Sequence, residues 1–224
     1  DTNSVASFRQ RQENVLRNML STPYYQFAEL KQRVKYGATP RRGLNRLEDL
    51  PKLTSQALHH IHQQRFGDLN DLLLVFVGDF ELEQLKALAQ RYLGNLPVRG
   101  RKESWKDLGL DITPGHIDST SRGGIAPKTL VEYTWHGSFE NTSLERYHFS
   151  SMVSALQIRL REVLREQESG IYSLSFNGNV EHHPLPVYRI TLGFNTDPER
   201  DEELMQKAIQ VIADFCATGP DVAL

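Results

Sequence analysis

LREVLREQESGIYSLSF, Leu160 to Phe176, passes from helix to strand within one turn, and that passage decides the fold class. A helix ending near Glu168 puts Arg165 in its last turn, where a cation suits the dipole. Gly170 then permits the turn into a strand over Ile171 to Asn179 that carries Tyr172. A second strand follows at Val187 to Phe194, and DPER (Asp197 to Arg200) opens a final helix with acidic residues in its first turn. Upstream, Asn141 or Thr142 caps the long helix that runs through Glu166. Val131, Tyr133 and Trp135 alternate along a strand at Thr129 to His136, and His116 to Ser119 reads as another short strand.

Further back, the apolar run inside DLLLVFVGDF (Asp71 to Phe80) reads as a buried strand, Leu72 to Val77, between helices at Thr54 to Phe66 and Glu81 to Leu93. Gly94 ends the second of these helices. From Leu72 the order is β-α-β-β-α-β-β-α, which implies an α+β two-layer sandwich with a largely antiparallel sheet and helices on one face. Ahead of it, Phe8 to Leu20 and Tyr25 to Tyr36 read as helices. YGATPRRGLNRLEDLPKL, rich in Gly, Pro and Arg, reads as a connector. Residues 1–50 are thus expected to be the helical end of a preceding domain, and 51–224 the α+β domain.

The chain has 224 residues, 39% of them apolar, enough to fill a core. Its 26 basic and 28 acidic residues show no long run of one sign, which argues against nucleic acid or a polyanion as partner. The longest apolar run has strand length and falls short of a membrane span, so no membrane insertion is expected. The single cysteine, Cys216, follows Ile212 and Phe215 on the apolar face of the last helix and is expected to be buried. The chain opens DTNSVASF and closes DVAL, without an initiator methionine or signal sequence, and reads as a segment of a longer protein.

Three stretches could carry chemistry. LHHIHQQRF (Leu58 to Phe66) sets His59 and His62 one helical turn apart. A hydrolytic zinc site needs a third ligand and a general base, and neither H-E-x-x-H nor H-x-x-E-H occurs. His59, His60 and His62 are therefore read as a polar helix face, with no metal bound. EHHP (Glu181 to Pro184) has adjacent histidines that would point to opposite faces of a strand, and its prolines favour a loop surface. The third is the opening stretch itself. Arg165 and Tyr172 are either a capped helix end and a packed aromatic, or a pair of donors for a peptide carbonyl.

The same stretch, with RFGDLNDLLLVFVGDFELEQLKALAQRYLGNLP, resembles the insulinase or pitrilysin (M16) family of zinc metallopeptidases, from about Thr54 onward. The matched patterns are an apolar strand ending in VGD with a following helix and an aromatic-x-G-x-L-P, and an L-R-E turn leading to Tyr-Ser. Gln167-Glu168-Ser169-Gly170 departs from the family's turn, and ATGPDVAL stops where the family continues. The resemblance implies a parent zinc metalloendopeptidase that encloses peptides between two halves, with zinc bound by the N-terminal half through an inverted motif that this chain lacks. The chain is then the C-terminal substrate-binding part, inactive alone and holding no cofactor, with peptide substrate and the N-terminal half of the same chain as partners. Arg165 and Tyr172, seven residues apart, match the family's auxiliary substrate or transition-state donors. The resemblance also implies a bacterial periplasmic location. The alternative is a non-catalytic structural or interaction module of the same fold, in which both residues only pack. A free metal binder built on the histidine cluster is the remaining option.

Overall fold

The computed structural model describes residues 1–167, 171 and 173–220, leaving the side chains of 165–167 outside the description. The chain divides into two compact units, Asp1–Leu110 and Asp111–Leu224.

In the first unit, α1 (Thr2–Leu20) and α2 (Pro23–Tyr36) are joined by Thr22, whose side chain accepts from the Tyr25 N–H as α2's N-cap while Pro23 takes the first helical position. The expected connector does not run free. It ends in a 3-10 turn, Leu47–Lys52, packed on α1, with Leu50 buried and the Tyr25 hydroxyl donating to the Asn45 carbonyl at 3.1 Å. Thr54 caps α3 (Ser55–Phe66) by accepting from the Ala57 N–H, as its sequence position predicts. The α4 helix (Leu82–Leu93) ends at Gly94.

Leu72 to Val77 is not a strand, which corrects the sequence reading. Leu73, Val75 and Val77 are 83, 73 and 92% exposed and alternate with Leu72, Leu74 and Phe76 at 45–50%. The period is that of a strand, but a strand needs a neighbour for its N–H and C=O groups, and among the described residues none pairs with this one. His116 to Ser119 likewise forms no strand.

The second unit is built on three antiparallel strands, β1 (Thr129–Ser138), β2 (Ser173–Glu181) and β3 (Val187–Thr196), in the order β1-β3-β2. The register sets Val131, Tyr133 and Trp135 opposite Phe194, Leu192 and Ile190, and Leu174 and Phe176 opposite Phe194 and Leu192, giving one apolar face. Two helices cover it. From α5 (Ser143–Arg161) come Leu156 and Leu160, and from α6 (Asp201–Thr218) come Leu204, Ala208 and Val211, all in one buried cluster with Phe176, Leu192 and Phe194. Gly178 brings β2 close to α5: a Cβ there would lie 2.5 Å from Val153 Cγ2 and 2.8 Å from Phe149. The unit is an α+β two-layer arrangement with helices on one face, the class expected from the sequence. Cys216 departs from expectation. It is exposed, because Ala208 and Val211 set the inward stripe of α6 and residue 216 falls outside it.

Candidate functional site

The end of α5 is where the sequence locates the candidate donors. Thr142 caps the helix by accepting from the Glu145 N–H at 3.1 Å, and nineteen residues later the α-helix gives way to a π-helical turn, Glu162–Gln167. Such turns recur at functional sites because a widened turn re-aims the side chains that follow it. Val163 and Leu164, inside the turn, are 5 and 0% exposed, and Ile171 beyond it is 8% exposed. The backbone of Arg165 lies in the π-helical turn, directly after Leu164. Its side chain lies outside the described residues, as does Tyr172 altogether. Nearby cations are accounted for differently: Arg159 pairs with Glu162 at 3.4 Å, while Arg161 is exposed on the last α-helical turn.

The sheet face turned away from α5 and α6 is polar. Asn195 donates to Ser173 Oγ at 2.8 Å, Ser175 Oγ donates to the Gly193 carbonyl at 3.2 Å, and Arg189 pairs with Glu181 at 2.9 Å. β2 therefore leads from the Tyr172 position onto a surface of hydrogen-bonding side chains.

The histidines sort as follows. His59, His60 and His62 are exposed on α3, with His60 against Gln64 at 3.0 Å and the His62 ring 5.1 Å from that of Phe66. His182 and His183 sit in the exposed β2–β3 connection, as the prolines require. Their ring nitrogens are nevertheless 2.9 Å apart, because the strand's alternation has ended before them and the expected divergence does not apply. Among the described residues no three His, Cys, Asp or Glu side chains converge to hold a metal ion.

Sequence reasoning missed a polar clasp at the end of α3. Asp68 accepts backbone N–H donors from Asn70 (3.2 Å), Arg99 (2.8 Å) and Arg101 (2.8 Å), which together hold its carboxyl below its ordinary value of 3.8, with the Arg99 N–H the largest cause. Gly100, at φ 85°, lets the two arginine N–H groups converge on one carboxylate, an arrangement of the anion-nest kind. The pairing continues where Asn70 Nδ2 donates to the Arg101 carbonyl at 3.2 Å and the Glu103 N–H donates to Asp71 at 2.7 Å. At α3's C-terminus the Gly67 N–H donates to the Gln63 carbonyl, and the Arg101 guanidinium donates to the next two, those of Gln64 and Arg65. In the sequence the only sign is DLND followed some thirty residues later by RGR, which has no periodicity to betray it.

Over residues 52–224 the chain matches the family described as the peptidase M16 inactive domain. It is 29% identical over 165 residues to the probable zinc protease PqqL of Haemophilus influenzae, covering 73% of this chain and 17% of that protein. To the probable zinc protease PqqL of Escherichia coli it is 27% identical over 222 residues, covering 97% of this chain and 23% of that protein. The crystal structure of the periplasmic protease PqqL from Escherichia coli matches all of this chain at a TM-score of 0.87 and 25% identity, using 24% of its own length. The chain thus spans about a fifth of the length of the curated relatives it matches.

Proposed function

The chain belongs to the peptidase M16 inactive-domain family, and on that premise we propose that it is the C-terminal substrate-binding part of a zinc metalloendopeptidase that encloses and hydrolyses peptides. Residues 1–50 are then the end of the preceding domain and its connector, and 51–224 the domain itself. The location is the bacterial periplasm, in keeping with the description of the Escherichia coli relative. The zinc belongs to the N-terminal half, which is also this chain's partner around the peptide. The described residues here offer no donor set that fits the metal.

The observation that carries the reading is the turn at the end of α5. Two consecutive buried residues, Val163 and Leu164, precede Arg165, and buried Ile171 precedes Tyr172, so both candidates follow directly on core anchors. A donor that serves a transition state must be held before the reaction begins, and anchoring in the core supplies that preorganisation. In this role the Arg165 guanidinium and the Tyr172 phenol donate hydrogen bonds to the scissile carbonyl, and more strongly to the oxyanion that it becomes as the carbon turns tetrahedral. Neither group needs to exchange a proton in that step.

The reading is tested by steady-state kinetics on the intact parent protein carrying Arg165→Lys. A charge retained without the planar fork of donors lowers kcat by about tenfold to a hundredfold with little change in KM, as expected for an interaction made chiefly in the transition state. Unchanged kcat and KM would instead favour a structural module in which Arg165 only caps a helix.

A further inference from the structure

Beside the Asp68 clasp lies an open groove of about 710 Å³ whose lining includes Gln63, Arg65, Asp68, Arg99 and Arg101. Its charges are unequally satisfied. Asp68 is occupied by three backbone N–H donors, and Arg101 by the α3 carbonyls and by Glu103 at 2.5 Å. Arg65 and Arg99 are exposed, and among the described residues no acidic side chain pairs with either guanidinium. The groove therefore contains two exposed cations without an acidic partner among the described residues, beside a clasp that ties the backbone on either side of Gly100 to the end of α3.

We infer that this groove binds the side-chain carboxylates of an acidic peptide segment, with Arg65 and Arg99 as the cationic partners. Guanidinium groups match carboxylates through paired N–H donors. The groove's volume lies in the range of sites that take a ligand of several connected groups, much larger than one inorganic anion. Gln63, one of its lining residues, has a side-chain amide of the kind that both donates to and accepts from a peptide backbone. The site is separate in the chain from Arg165 and Tyr172, and binding there does not depend on their role. It would give a peptide-enclosing protein a preference for segments that carry Asp or Glu.

The test is fluorescence anisotropy with the intact protein and a labelled, C-terminally amidated octapeptide of Gly and Ser containing two adjacent Glu, compared with the same peptide containing Gln. The Glu peptide binds about tenfold more tightly, the size expected of hydrogen bonds to a charged group. Arg65→Gln and Arg99→Gln each remove most of that difference, and both retain the backbone groups on which the clasp depends. Arg91→Gln, which removes a positive charge elsewhere, preserves the preference. Equal binding of the two peptides, or a preference that survives the Arg65→Gln/Arg99→Gln pair, would overturn the assignment. So would a Gln peptide with a free C-terminus matching the Glu peptide, or inorganic phosphate displacing the peptide at equal concentration. None of these results alters kinetics governed by Arg165, so this proposal and the donor role fail independently.

Discussion

Asp68, half-buried at the end of α3, organises much of its surroundings. Its carboxylate gathers the N–H groups of Asn70, Arg99 and Arg101, and the Arg99 bond is the chief reason its pKa falls below 3.8. A carboxyl whose folded pKa is depressed adds stability that is present above its unfolded value and is lost as pH falls through the folded one. The clasp is therefore expected to stay closed through neutral and mildly acidic pH and to open only below 3.8. Amide proton shifts of Arg99 and Arg101, followed from about pH 5 to about pH 2, should report one transition below that value. A midpoint at or above it would mean that the N–H donors do not favour the ionised form. No local pattern announces such a clasp, since it joins Asp68 to residues 31 and 33 positions away through side-chain acceptors.

At the scale of elements, the legible features are those coded locally. Thr54 and Thr142 each precede a helix and cap it, Gly94 ends one, and the alternation of Val131, Tyr133 and Trp135 marks β1. Leu72 to Val77 failed for the opposite reason. Its apolar run has the composition of a strand, but a strand exists only with a partner, and pairing is not written in the run itself. The π-helical turn also escaped the sequence, because Glu162 to Gln167 continues the helical spacing of α5 without interruption. Packing of α5 on the sheet rests on the small residue at Gly178. Gly178→Ala should cost about 1 to 3 kcal/mol, read from denaturant unfolding, because the new methyl group meets Val153 Cγ2 and the Phe149 ring. In a Val153→Ala background the same change should cost less. Equal costs in both backgrounds would show that the close approach of β2 to α5 does not limit the site.

At the scale of the molecule, the class of fold follows from the order of elements, whereas the candidate site does not follow from spacing alone. An arginine at a helix end and a tyrosine after a glycine are common features, and only the family resemblance distinguishes Arg165 and Tyr172 from a capped helix and a packed ring. Among the described residues, Val163, Leu164 and Ile171 beside the two candidates are buried. The most direct test removes a single hydroxyl group. Tyr172→Phe in the intact parent protein keeps the ring and deletes only the hydroxyl donor, so under the proposed role kcat/KM for peptide cleavage should fall by about a hundredfold, the scale of losing one oxyanion donor. An unaltered kcat/KM would contradict the donor role.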